Sequence, residues 1–586
     1  MIKLFKNLSR KDLLIIIAAI SLVVFSVFLD LKLPEYMSEI TKLVQTEGST
    51  FKSILIAGEH MLICAVGSLI CTICVGFLTS LLSARFSRKI RRLIFEKVEN
   101  FGIAEIKKFS TSSLITRTTN DVTQIETLLA MGVPLLVKAP VMAIWALLKI
   151  IGKSRELSLI TATGVVIIVV TNLTIIRIVA PRFSIIQKLT DKLNGVTRES
   201  ITGIRVIHAF NAEKYSEKRF NKVNNELTGI HLTITKTFAF MDPIMNFVMH
   251  FQHLGIYILG AILIINAGMA DKINIFSNMV VFSSYGMQVI ISFLMLTFIF
   301  MVLPRAQVSS KRINEVLESD ISVKSGTFTG ITKESGTVEF KNVSFKYPDA
   351  DEYLLKNISF RVEKGETIAF IGSTGSGKST LINLVPRLYD ATLGEVFVDG
   401  VNVKEYDLKE LNNRIGYIPQ TAVMFTGTVE ENVSYGDNGK EKPSLEKVKE
   451  AIKVAQGKKF VEDMEGSYKA HIARGGTNIS GGQKQRLSIA RAIARDPEIY
   501  IFDDSFSALD YQTDAKLRKE LKKYTKDATS MIVAQRIGTI INADKIIVLD
   551  KGECVGVGTH KELLKTCKVY KEIALSQLSE EELNNA

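Results

Sequence analysis

Cysteine is scarce: five residues in a chain of 586, with only Cys71 and Cys74 at a C-x-x-C spacing and no second pair to complete a zinc site. That excludes a disulfide scaffold, and in an apolar run the pair reads as two small residues on one helix face. Cys64, Cys554 and Cys567 are scattered. Low apolar content is also missing: 47% of the residues are hydrophobic, which excludes a disordered chain. The second half lacks long hydrophobic runs. Between residues 335 and 576 nothing approaches the ~20 apolar residues needed to cross a bilayer. A positive mean hydropathy of +0.20 alongside 23% charged residues therefore requires a greasy part joined to an ordinary one. The net charge of +13 suits nucleic acid or the cytoplasmic face of a membrane, and the position of the charges along the chain decides between them.

The greasy part is residues 1–303. Six apolar runs are predicted to span a bilayer: 13–33, 51–82, 129–151, 157–181, 241–267 and 275–303. The first follows Lys3, Lys6, Arg10 and Lys11, is too long for a cleaved leader, and reads as a retained span behind a short amphipathic entry helix. Basic residues set the orientation. The chain start and the cluster Arg85, Arg88, Lys89, Arg91 and Arg92 are placed inside, and the loop with Glu35, Glu39 and Glu47 against Lys42 outside. Lys153 and Arg155 disagree, being outside, but the larger clusters prevail. Both termini are thus expected in the cytoplasm of a multi-pass protein. The two inner loops, about 83–128 and 182–240, still read as helix, so the second span with its extension is expected to exceed ~60 Å.

Residues 304–334 read as a polar linker, 335–576 as an α/β domain of short strands alternating with helices, and 577–586 as a tail. Within the α/β domain an apolar strand, Thr367-Ile368-Ala369-Phe370-Ile371, runs into Gly372-Ser373-Thr374-Gly375-Ser376-Gly377-Lys378-Ser379-Thr380 and a helix. This is G-x-x-x-x-G-K-S in the strand–loop–helix setting that a phosphate-binding loop needs. Backbone N–H groups wrap phosphate, Lys378 neutralises it, and the Ser379 hydroxyl is placed for Mg²⁺. A second apolar strand ends in Asp503 and Asp504, putting a carboxylate at a sheet's carboxyl edge, where ligands bind in such folds. Asp503 is the expected partner of Mg²⁺ and Asp504 of the attacking water. A third element, Asn478-Ile479-Ser480-Gly481-Gly482-Gln483, opens a helix with bare backbone: an anion site or simply a capped helix.

In this order the elements resemble the ATPase domain of ABC transporters, and the whole chain resembles an ABC exporter half-transporter. The fold this implies is an α-helical six-span transmembrane domain followed by an α/β P-loop ATPase (ABC nucleotide-binding) domain. The resemblance implies ATP and Mg²⁺, with head-to-tail pairing of two ATPase domains, so that Ser480, Gly481, Gly482 and Gln483 serve the partner's ATP. It matches Tyr347 to the aromatic that stacks on adenine, Gln420 to the glutamine near Mg²⁺ and the attacking water, and Ser507-Ala508-Leu509-Asp510 to a loop facing the other subunit. Gly558-Thr559-His560-Lys561-Glu562-Leu563 matches a closing segment common in exporters. Residues 110–117 resemble the first coupling helix, and residues 209–214 the second.

Two positions depart from the family pattern. Asp504 stands where a catalytic glutamate is usual, and Gln535 where a histidine touches the γ-phosphate. Aspartate is one methylene shorter, and a misplacement of about 1 Å can cost ~10²-fold. Glutamine donates a hydrogen bond but relays no proton. The signature Ile479-Ser480-Gly481-Gly482-Gln483 is otherwise intact. The loop Ala473-Arg474-Gly475-Gly476 lacks the usual acid. This asymmetry resembles the degenerate-site subunit of bacterial heterodimeric multidrug-type exporters. The expected partners are a second, non-identical half-transporter, membrane lipid and a small-molecule substrate, in the bacterial cytoplasmic membrane. A slow homodimeric exporter of lipid or peptide, and an ATP-gated regulator or channel, are the alternatives. Six spans reject a soluble ATPase acting on nucleic acid, and the lack of a peptidase domain before the first span counts against processed peptides. Glu59, His60, Lys138, His250 and His253 are ionisable residues within spans, read either as cavity groups or as interfacial and interhelical ones, with no substrate contact assigned.

Overall fold

A computed structural model describes residues 1–46, 48–151 and 153–578. Glu47, counted in the outer loop, and residues 579–586 of the tail lie outside the described residues. The chain divides into two compact units: Met1–Glu99 with Ser112–Ser319, and Asn100–Thr111 with Asp320–Ala586.

The first unit is helical. After a short entry helix, Ile2–Phe5, six helical stretches are long and apolar enough to cross a membrane: Arg10–Gln45, Phe51–Glu99, Thr111–Ile150, Arg155–Thr202, Glu213–Asn266 and Asp271–Leu317. Each predicted span falls on one of them, ending within a residue of it. Between 22% and 35% of their most apolar stretches is buried within the protein, so the outward remainder needs lipid rather than water. Ser9 starts the first span with a capping box, its Oγ accepting from the Asp12 amide and the Asp12 carboxylate accepting from the Ser9 N–H. The core between helices is aliphatic and aromatic, built around Val27, Leu31, Met142, Ile256, Phe282 and Tyr285. The last of the six helices continues to Leu317, so the first half of the expected linker is helix.

The second unit holds two sheets. An antiparallel sheet runs in the order Leu355–Val362, Val338–Phe345, Leu393–Val398, Val401–Asn402. The larger sheet runs Glu553–Gly558, Lys545–Asp550, Thr367–Gly372, Thr529–Val533, Ile499–Asp503, Ile415–Ile418, and is parallel except for its first strand. The central strands are buried on both faces, as their unbroken apolar runs require. Parallel strands place their carboxyl ends on one edge. There Gly372, Asp503 and Val533 stand side by side, each followed by a loop that carries chemistry.

The short helix Ile103–Phe109 belongs to this second unit, although it lies in sequence between the second and third spans. Ile103 and Ala104 pack on the core around Phe340, Phe345 and Tyr389. The buried carboxylate of Glu105 accepts from the Gly102 amide at 2.8 Å and from the Ser322 amide at 3.1 Å. This corrects the expectation of a coupling helix over 110–117. Ser110, at φ +58°, is the break between Ile103–Phe109 and Thr111–Thr118, and the residues on the ATPase core are the seven before it. Residues 209–214 straddle a turn, with Asn211 at φ +51°, between the helices Ile204–Ala209 and Glu213–Ala239.

Candidate functional site

The strand Thr367–Gly372 delivers the phosphate-type loop. A side chain at Gly377, at φ +95°, would be strained and would press on Leu355, so glycine is required there. Lys378 opens the helix Lys378–Asn383, and its ammonium folds back over the loop. Its Nζ donates to the carbonyls of Gly372 at 2.9 Å and Ser373 at 2.8 Å. Burial lowers its pKa, opposed by the carboxylates of Asp504 and Asp503. Ser376 and Thr380 are buried, while Ser373, Thr374 and Gly375 are exposed at the loop crest.

From the parallel neighbour Ile499–Asp503, the buried Asp503 reaches this loop, and Ser379 Oγ donates to its Oδ1 at 2.6 Å. Burial raises the Asp503 pKa, and the Ser379 hydrogen bond opposes it. A hydroxyl and a carboxylate meeting beside a phosphate-type loop form a hard-oxygen pair, the donor chemistry that Mg²⁺ prefers. Gln420, on the loop after Ile415–Ile418, points its amide to Asp504 Oδ2 at 3.5 Å rather than to this pair.

The two departures touch each other. Asp504 adopts the left-handed conformation, at φ +47°, and its N–H donates to Val533 O at 3.1 Å. Gln535 follows that strand, and its Nε2 donates to Asp504 Oδ2 at 2.8 Å. Burial pushes the Asp504 carboxyl above the usual range, against hydrogen bonds from Ser507, Gln420 and Gln535. Sequence reasoning listed both residues separately. Their contact arises from register, because Val533 pairs with Asp503.

Tyr347 is half-buried, with its hydroxyl 2.9 Å from Thr380 Oγ1 and its ring edge-on to Phe345 and Tyr389. The ammonium of Lys107, from Ile103–Phe109, lies 5.0 Å from its ring centroid. Sequence reasoning missed that contact, since nothing local links positions 107 and 347. Ser480 caps the helix Gly481–Arg495. Its Oγ accepts from the Gln483 amide at 3.3 Å, and its own amide donates to Gln483 Oε1 at 2.8 Å. A Cβ on Gly481 would meet nothing within 4 Å, so that glycine is not demanded by packing within this chain. Asp510 caps Tyr511–Tyr524 through the Thr513 amide. Ala473-Arg474-Gly475-Gly476 forms a tight turn fixed by the Asn478 side chain on the Ala473 amide at 2.9 Å.

In the membrane unit, Lys138 pairs with Asp30 at 3.1 Å, and Ser68 also donates to Asp30. Glu35 takes Lys32 and Lys149, each at 2.7 Å, beside Tyr285. Asp30 was missed because it sits at the end of an apolar run, where a carboxylate looks solvated. His60 stacks on Tyr36 at 5.7 Å. Glu59 and His250 are exposed and His253 is half-buried. Cys71 and Cys74 are free thiols, and among the described residues no cluster of His, Cys, Asp and Glu is suited to a metal.

Six apolar helices ahead of a phosphate-loop ATPase sheet define an ATP-driven membrane transporter. Residues 14–293 match the family model of the ABC transporter transmembrane region and residues 355–507 the family model described as ABC transporter. An uncharacterized ABC transporter ATP-binding protein of Mycobacterium tuberculosis is 37% identical over 94% of this chain and 94% of its own. An ATP-dependent lipid A-core flippase of Mannheimia succiniciproducens is 31% identical over 86% of each chain. A bacterial Atm1-family ABC exporter solved with ATP bound superposes with a TM-score of 0.81 over 97% of this chain and 100% of its own, at 21% identity, a likeness of fold. The chain belongs to the ABC transporter family, as an exporter-type half-transporter with one membrane domain and one ATPase domain.

Proposed function

We propose that the protein is one half of a heterodimeric exporter that moves a small, amphipathic or drug-like solute out across the cytoplasmic membrane, with its ATPase domain inside. Its own nucleotide site binds ATP and hydrolyses it poorly, and its intact signature completes a competent site on a non-identical partner. The contact between Asp504 and Gln535 carries this reading. The carboxylate is one methylene short of the usual reach and is engaged by an amide that relays no proton. On this reading Tyr347 stacks on adenine and residues 372–380 cradle the phosphates. Ser379 and Asp503 would hold Mg²⁺, which would supply charge neutralisation at the phosphates, while Gln420 faces Asp504, the position of the attacking water. The open space around Gly481 supports a ligand approaching the Ser480–Gln483 turn from outside.

The test is ATP turnover by the purified full chain alone and with a co-expressed neighbouring half-transporter. We expect slow turnover alone and a rise of at least about tenfold with the partner. Vigorous turnover by the chain alone would overturn the reading. A second reading, a slow homodimer moving lipid, is supported by the flippase relatives at 30% and 31% identity. Flip of a fluorescent lipid by the chain alone in vesicles would select it.

A further inference from the structure

The C-terminal end of the ATPase domain touches the loop that carries Gln535. The helix Lys568–Leu575 packs through buried Tyr570 and Ala574, with Leu578 one turn further, on a cluster that includes Ile537 and Ile540. Beyond it the chain keeps turning: the amides of Gln577 and Leu578 both donate to Ala574 O, at 3.1 and 3.0 Å. That turn aims Gln577 at the loop after the strand Thr529–Val533. Its Nε2 donates to Gln535 O at 2.7 Å, and its Oε1 accepts from Ile537 N at 2.8 Å.

Ile537 begins the four-residue helix Ile537–Ile540, whose N-cap residue, Arg536, makes no side-chain capping bond. The first amides of a helix need acceptors from outside it. Here an acceptor comes from a glutamine 40 residues further along the chain. A primary amide suits the task, because it accepts and donates at once. Glutamate only accepts, lysine only donates, and leucine does neither. The same loop residue extends the other way, since Gln535 Nε2 donates to Asp504 Oδ2 at 2.8 Å. One line of hydrogen bonds thus joins Gln577, the Gln535 backbone, the Gln535 side chain and Asp504.

We propose that Gln577 is a positioning residue for nucleotide discrimination: it fixes the loop that carries Gln535, so the C-terminal segment sets how strongly the site prefers ATP to ADP. The proposal rests on the reading of Gln535 as the group facing the γ-phosphate. Gln577 is exposed.

The test uses the full chain in detergent or nanodiscs, with Mg²⁺ and either ADP or ATPγS as probe. The readouts are Kd, Tm and hydrogen exchange over residues 535–541. Gln577→Leu is expected to lower the ATPγS-over-ADP preference about fivefold, the scale of one such hydrogen bond. ADP affinity and Tm stay near the parent values, and exchange at Ile537 quickens. Gln577→Glu, which keeps the acceptor for Ile537, is expected to restore part of the preference. Gln535→Ala should reproduce the loss. If Gln535→Ala lowers the preference and Gln577→Leu does not, the inference is overturned. Equal loss of ADP and ATPγS affinity in Gln577→Leu also overturns it, as that marks a merely structural role. If Gln535→Ala changes nothing, the γ-phosphate reading falls and takes this inference with it.

Discussion

A carboxylate held by two glutamine amides behaves differently from one free to meet water. Asp504 accepts from Gln535 at 2.8 Å and lies 3.5 Å from the Gln420 amide, so its anion is oriented but occupied. Asp504→Glu combined with Gln535→His restores both reach and a proton-carrying ring. We expect ATP turnover of the chain alone to rise by about 10²-fold, the scale on which a 1 Å change in placement acts. A double variant no faster than its parent argues that the site is limited elsewhere. The phosphate-type loop was legible because its glycines, lysine and serine are contiguous and their spacing fixes their geometry. The contact between Asp504 and Gln535 was not, because the register of two strands creates it. Lys107 over Tyr347 joins parts of the chain far apart in sequence, and no local pattern announces it.

At the scale of elements, the short helix Ile103–Phe109 lies just before the stretch that the family resemblance pointed to. Gly102 followed three residues later by Glu105 marks its start, whereas residues 110–117 were matched by their position in the family pattern alone. Glu105 ties that helix to the Ser322 amide as well as to its own first turn. Glu105→Ala is expected to cost about 1 kcal/mol of local stability. The measurable result is faster hydrogen exchange over 102–109 and weaker stimulation of ATP turnover by transported solute, with nucleotide affinity unchanged. A pH effect belongs to the C-terminal helices. His560 is buried, its Nδ1 lies 2.7 Å from the Tyr570 hydroxyl, and burial holds its pKa below the ordinary 6.5. The unfolded chain therefore takes up a proton near pH 6.5 that the folded one refuses. Stability is intact above that pH and falls as pH drops through it. Thermal melts between pH 5.5 and about 7.5 are expected to show this slope. His560→Gln should flatten it.

For the whole molecule, composition already separated a lipid-facing half from an ATPase half, and hydropathy located all six spans, because a bilayer imposes one length on every crossing. Charges inside the membrane unit were less legible, since pairing depends on which helices become neighbours. Lys138 and Asp30 keep about a quarter and a fifth of their side-chain surface exposed, 24% and 22%. Asp30→Asn strands the lysine, and we expect a loss of about 2 kcal/mol, below the cost for fully buried pairs. Adding Lys138→Gln should recover most of it in a thermal melt in detergent, and a double variant no better than the single would deny the pairing.

The helix Phe51–Glu99 has 49 residues. At 1.5 Å per residue it is roughly 74 Å of rod, of which a ~30 Å hydrocarbon layer grips less than half. Such a rod is a lever with its pivot in the lipid. A tilt of about 10° swings the end of the roughly 26 Å that runs past residue 82 through about 4 Å, most of one helical turn of ~5.4 Å. Modest rotation among packed spans is therefore mechanically equivalent to a large stroke at the water-facing end, and the gain is set by nothing more than how far the helix outruns the bilayer.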